Sequence, residues 1–211
     1  MSNLPIARLL ATILEAERLA WECAARQAPL AAALHQGRFL RAQTRQEAVH
    51  AAVVRASLFA IEPGGRRIAT PAEAALGAYR RRLDRDLCEA NLLGSVIGMQ
   101  IVFEGLGSFV IGRMNLALSG HGERYGPARR LLARQEDSHH AFGTQVLAAA
   151  LDRRDLPLAS AAETIAEYRE LAHGILCACD ELFTEFSVSR SIYQRRFDDA
   201  LEATELPGVR A

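Results

Sequence analysis

Apolar residues recur along this chain at the three-and-four spacing of helical faces, and no alternating strand pattern stands out. Ile6, Leu9, Leu10, Ile13, Leu14 and Trp21 predict a first helix over about Leu4 to Arg26. Pro29 and Gly37 punctuate the connection to a second helix, expected over about Arg38 to Ile61 and ended by Glu62-Pro63-Gly64-Gly65. Thr70-Pro71-Ala72-Glu73 is a capping box with proline at the first helical position, and it opens a third helix. Asn91 to Gly94 predicts a bend before a markedly apolar helix. Gly120, Gly122, Gly126 and Pro127 mark a loop, followed by a helix over about Pro127 to Asp152. Pro157 and a second box, Ser160-Ala161-Ala162-Glu163, introduce a helical region running to about Thr204. The expectation is an all-α protein, a four-helix bundle with additional helices, about six in total, in one domain over residues 1–211.

The apolar stretch Leu92 to Gly112 changes the picture. It is long enough to span a bilayer, and only Gln100 and Glu104 are strongly polar within it. A glutamate near the middle would be costly in lipid. A helix apolar all round also fits the buried centre of a bundle, which is the reading adopted. Composition agrees: half the residues are apolar, a quarter are charged, and the formal net charge is zero. No global field attracts nucleic acid or an anionic membrane, so neither is expected as a partner. Cys23, Cys88, Cys177 and Cys179 form no Cys-x-x-Cys pair, which argues against a zinc ribbon or a rubredoxin-like iron site. Scattered cysteines suit a reducing cytosol. Arg8, Glu15 and Glu17 interrupt the place where a signal peptide needs an apolar run, so a cytoplasmic location is expected.

The candidate chemistry lies in two Glu-x-x-His tetrads. Glu47-Ala48-Val49-His50 follows Glu17, and Glu136-Asp137-Ser138-His139 follows Glu104, each at a distance of about thirty residues. Residues three apart share a helical face, so each tetrad points a carboxylate and an imidazole the same way. Residues equidistant from a turn lie level in an antiparallel hairpin. The midpoint of Glu17 and Glu47 is residue 32, between Pro29 and Gly37; that of Glu104 and Glu136 is residue 120, in the glycine-rich loop. Gln46-Glu47-x-x-His50-Ala51 matches Gln135-Glu136-x-x-His139-x-Ala141, so one helical hairpin is used twice. Glu17, Glu47, His50, Glu104, Glu136 and His139 thus form the ligand set expected of a two-metal site in a helical bundle. Four carboxylates balance two divalent cations. Nitrogen with oxygen suits iron or manganese better than calcium or magnesium. Without metal, carboxylates crowded in an apolar core would repel one another. On the first helix Glu17 shares a face with Ile6, Leu10, Ile13 and Leu14; the alternative, Glu15, shares one with Arg8 and Arg18.

Other motifs read more blandly. A third tetrad, Glu170-Leu171-Ala172-His173, falls on a surface face. His140 points about 100° from His139 and is expected to pack or to support the site. Gly94, Gly98, Gly105, Gly107 and Gly112 along the central helix either open a cavity or let neighbouring helices approach closely.

On these residues the chain resembles the ferritin-like di-iron carboxylate superfamily, over roughly residues 4–62 and 92–152. The stretch Glu136-Asp137-Ser138-His139-His140-Ala141-Phe142-Gly143 is similar to the last ligand helix of reductase-like members. The resemblance implies that the six residues above are metal ligands, with Glu47 and Glu136 as the bridging pair. Two iron ions are implied, with manganese or a mixed manganese–iron pair as alternatives. The chain departs from the pattern in places. Gln46 and Gln135 stand where the group often has an aspartate that supports the opposite histidine. Val54 stands where tyrosyl-radical reductases commonly carry tyrosine. The implied activity is that of an O₂-activating oxidase or oxygenase acting on a small organic substrate, supplied by an electron donor, with a homodimer as the assembly. A ferroxidase or iron-storage protein, and a metal-free helical interaction module, are the alternatives.

Overall fold

The computed structural model describes residues 4–64, 68–107 and 126–203. Among them there is no strand, and the fold is all-α. The helices are α1 (Leu4–Gln27), α2 (Leu34–Ile61), α3 (Glu73–Cys88), α4 (Leu92–Val96), α5 (Gly126–Asp152), α6 (Leu158–Ala178), α7 (Asp180–Glu185) and α8 (Arg190–Ala203). A π-helical segment, Ile97–Phe103, continues directly from α4 and returns to α-helix over 104–107. The glycine-rich loop from Gly120 and the residues Phe109, Ile111, Gly112 and His121 lie outside the described residues.

Several boundaries differ from the sequence pattern for local reasons. Gly37 is not a turn residue. It lies in the first turn of α2, its amide donating to the Ala33 carbonyl. A Cβ there would sit 3.3–3.4 Å from the Arg41 guanidinium and the Ala28 carbonyl, so its smallness serves close approach. The first box does not form as expected: α3 begins at Glu73 behind Ala72, which has no side-chain cap, and the Thr70 hydroxyl accepts the Ala72 amide in the turn ahead of the helix. The second box fails as well. The Pro157 carbonyl accepts the Ala161 amide and α6 starts at Leu158, so Ser160 lies inside the helix. The expected long C-terminal helix breaks at Cys179 and again at Ser187, whose φ of 54° cannot continue a right-handed helix. Ala90, with the same φ, performs the expected bend before α4; there the Asn91 amide and side chain both bond Asp86.

The chain gathers into two compact units. One comprises Met1–Leu92 and Gly174–Val188. In it α1 and α2 form an antiparallel hairpin: Glu17 meets His50, and Ala28 meets Gly37. Ala7, Ala11, Ala20 and Ala24 are buried on α1, so small side chains let its neighbours come close. Tyr79 and Leu83 of α3 are almost fully enclosed. Burying such side chains contributes about 1.5–3 kcal/mol each. Ion pairs from Arg26 to Asp84 and from Arg80 to Glu22 tie α1 to α3. Arg8 reaches Glu181 at 2.8 Å and Glu185 at 3.5 Å, tying α1 to α7. Exposed pairs of this kind contribute only about 0–1 kcal/mol.

The second unit comprises Leu93–His173 and Ser189–Ala211. Every residue from Gly94 to Glu104 is buried, as expected for a central helix apolar all round. Among the described residues, no helix is long and apolar enough to cross a membrane. The glycines of this unit serve packing. A Cβ on Gly98 would fall closer than 3.0 Å to the ring of Tyr168, and one on Gly143 would fall 2.7 Å from Gln100 Cβ and 3.1 Å from its backbone. α5 and α6 therefore press onto the π-helical segment at backbone range. Phe197 of α8 is fully buried and meets the His173 ring edge-on, with centroids 5.9 Å apart.

Candidate metal centre

In the first unit the hairpin brings three of the expected ligands together. Glu17, Glu47 and His50 are 5%, 0% and 2% exposed. His50 Nδ1 lies 3.3 Å from Glu17 Oε2 and 3.0 Å from Glu47 Oε2. The three-residue spacing within α2 places Glu47 beside His50, and the antiparallel partner supplies Glu17. Gln43, one turn before Glu47, is fully buried and donates Nε2 to Glu47 Oε1 at 3.3 Å. The sequence reading did not single out Gln43. The signal was present, because Gln43 shares the stripe of Leu40, Glu47, His50 and Val54, where a polar residue needs a partner. Glu15 lies elsewhere: half of its surroundings are solvent, and Arg18 holds it at 2.6 Å.

The second unit repeats the motif in a different frame. Glu104 and Glu136 are each 3% exposed and His139 is fully buried. His139 Nδ1 lies 3.7 Å from Glu104 Oε1. The Glu136 carboxylate lies beside Gly107, where an added Cβ would stand 3.5 Å from Oε2. Glu104 leaves the backbone where the π-helical segment ends. Its amide donates to the Met99 carbonyl five residues back, a π-type bond. π-helical turns are rare and occur frequently at functional sites.

The first unit brings two carboxylates and one imidazole together, and the second brings Glu104 to His139; buried groups of these types could hold a metal ion. Both imidazoles turn the same nitrogen, Nδ1, onto carboxylate oxygens. Each unit contributes two buried carboxylates toward the charge of a cation, and each imidazole adds a nitrogen donor. Without a cation, two buried carboxylates would repel, and burying unbalanced charge is costly. Buried Glu and His groups of this kind can hold a metal ion, and ligand atoms of Glu17, Glu47 and His50, like those of Glu104 and His139, lie within 4.8 Å of one another. The groups offer imidazole nitrogen and carboxylate oxygen, with no thiolate among them.

The remaining candidates stand apart. His173 of the third tetrad bonds Asp198 of α8 through Nε2 at 2.8 Å, while the Glu170 side chain is 73% exposed. That tetrad fastens α8 to α6. Gln46 and Gln135 are half-buried, and Val54 is buried. His140 bonds the Ile101 carbonyl oxygen through Nδ1 at 3.0 Å. Among the thiols, Cys23 is buried and burial pushes it far up; Cys179 is pushed up to about 11 by burial. A surface pocket of about 490 Å³ in the first unit is lined by Leu14, Leu19, Leu58 and Leu76, with Arg18 and Arg80 among the charged lining residues; none of the six candidate ligands lines it. Comparison with protein-family models and with curated proteins returns no match for this chain.

Proposed function

We propose that this chain is a member of the ferritin-like di-iron carboxylate group, holding two ions with the Glu and His side chains of its two hairpins and using O₂ to oxidise a small organic molecule. The observation that carries this reading is the recurrence in both units of one arrangement: a lone glutamate and a Glu-x-x-His tetrad, all buried, with imidazole Nδ1 turned onto carboxylate oxygen. A helical bundle offers no other common reason to bury four carboxylates. When bound, the ions supply the redox chemistry of O₂ activation. Iron is the proposed metal, with manganese or a mixed pair as variants. The protein does the rest. Glu17 and Glu47, and Glu104 and Glu136, supply the negative charge that retains the cations. The imidazoles add a nitrogen donor to each set. Gln43 holds one Glu47 oxygen and leaves the other to face His50. Near-complete burial excludes water, which would otherwise compete for ligand positions and quench reactive oxidants.

An electron donor must restore the reduced centre after each turnover, and a homodimer is the proposed assembly. The four free cysteines suit a reducing compartment, and the cytosol is the location assigned.

The deciding experiment is metal analysis of the purified chain after anaerobic addition of ferrous iron. Occupancy near about two ions per chain is expected, followed by O₂ uptake when air is admitted. Occupancy below about one ion per chain would overturn the reading in favour of a metal-free helical module.

A further inference from the structure

We infer that His140 is a positioning residue for the second unit's candidate ligands, fixing the end of the π-helical segment and with it the direction of Glu104. The inference rests on the metal-centre reading above and adds a residue to which neither the tetrads nor the charge balance assigns a role.

The argument starts from the backbone. A π-helix closes wider turns than an α-helix, with poorer packing along its axis, and appears mostly as a single turn. Here it spans Ile97–Phe103 and closes with the Glu104 amide on the Met99 carbonyl. Had the segment stayed α-helical, one fewer residue would fit in the turn. Glu104 would then rotate by about 100° around the axis, away from its present face. The orientation of the ligand is thus a property of the segment, and something outside the segment has to select the wider winding.

α5 supplies that selection on one face. His140 and Gly143 are three residues apart and therefore adjacent on that face. Gly143 sets the Gln100–Ile101 backbone at van der Waals range. His140 then bonds the Ile101 carbonyl at 3.0 Å, inside the π-helical segment. Its ring rests on Gly105, where a Cβ would stand 3.4 Å from Nδ1 and 3.5 Å from Cε1. The imidazole therefore brackets Glu104 from both sides: a hydrogen bond three residues before it, and a glycine seat one residue after it. The next residue back on α5, His139, is the candidate ligand that faces Glu104. One turn of α5 thus supplies the ligand and the brace for its opposite number.

The test compares His140→Phe, which keeps a ring and removes the donor, with His140→Asn, whose amide nitrogen can take the place of Nδ1. Two readouts are taken. The first is amide hydrogen exchange of the metal-free chain, which needs no metal. Residues 101–106 should exchange faster in His140→Phe and near the parent rate in His140→Asn, with α1 and α2 unchanged in both. The second is cobalt(II) titration, followed by stoichiometry and visible absorption. His140→Phe should weaken one of the two ions by roughly 10–100-fold, the range for removing a group that supports a ligand, and His140→Asn should restore most of it. Unchanged exchange at 101–106 in His140→Phe would overturn the brace whatever the metal result. Faster exchange with parental cobalt binding and spectrum would overturn its role in aiming Glu104. If the parent chain takes up no cobalt and no iron, the metal-centre reading falls, and the positioning role falls with it. Should His140→Phe not fold, His140→Ala removes the ring and its hydrogen bond together and is read by the same two measurements.

Discussion

The two half-sets use the same ligand spacing in two different frames. In the first unit, Glu17, Glu47 and His50 project from two uninterrupted α-helices, and a side chain, Gln43, holds Glu47 in place. In the second, Glu104 follows seven residues of π-helix, and glycines at 98 and 143 admit neighbouring helices to the backbone. The first unit aims its carboxylates with hydrogen bonds and the second with backbone winding. The lesson is that a ligand pattern in a sequence specifies which residues converge, while the means of aiming them can differ between repeats of the same motif.

The largest expected effect breaks the comparison at its ligands. Glu104→Ala or Glu136→Ala should bring the chain below about two ions, and metal analysis after anaerobic iron loading reads this directly. Parental stoichiometry in both variants would remove Glu104 and Glu136 from the centre. Next comes packing. Gly98→Ala forces a methyl into the Tyr168 ring and should destabilise by about 1–3 kcal/mol, measured by urea unfolding. Gly174 has nothing within 4 Å of a Cβ, and Gly174→Ala should instead stabilise its helix by about 0.5–1 kcal/mol. Equal effects at the two positions would show that the close approach of α6 is unimportant. A smaller effect sharpens the contrast in aiming: Gln43→Leu should weaken one ion by roughly tenfold while the helical signal in circular dichroism stays intact. The smallest effect is at the third tetrad. Glu170→Ala should leave metal content unchanged and stability within about 0.5 kcal/mol, since its side chain is largely in solvent.

The thiols offer a pH test independent of metal. The Cys179 thiol has its pKa raised to about 11, so it stays neutral at ordinary pH and gains thiolate only as pH approaches that value. Alkylation below about pH 9 should therefore mark the exposed Cys88 and Cys177 first. Rapid native labelling of Cys23 would contradict its burial.

Much of this was legible in the residues, and the rest was hidden for physical reasons. The first hairpin could be placed because α1 is amphipathic and proline marks the turn. The turn at Thr70 could be read, because its hydroxyl accepts an amide two residues on, but the helix itself starts three residues later at Glu73. The π-helical segment left no trace. Residues 94–104 are buried on every side, so no polar face exists whose period would betray the extra residue per turn. Ser160 misled because Ser-x-x-Glu also occurs inside helices, where the serine carbonyl accepts from a threonine one turn later, here Thr164. The glycines of the central helix were ambiguous because a missing side chain looks the same whether it leaves space or is filled by a neighbour. Only the position of Tyr168 decides the case of Gly98.

The first unit is assembled from two stretches of chain separated by more than eighty residues, Met1–Leu92 and Gly174–Val188. During synthesis, Glu17, Glu47 and His50 leave the ribosome early, yet α7, which Arg8 grips, follows only after Leu93–His173 of the second unit has been made. The nascent hairpin must therefore wait with part of its surface uncovered. A shortened protein ending near Leu92 would carry three candidate ligands and lack the α7 segment that Arg8 grips.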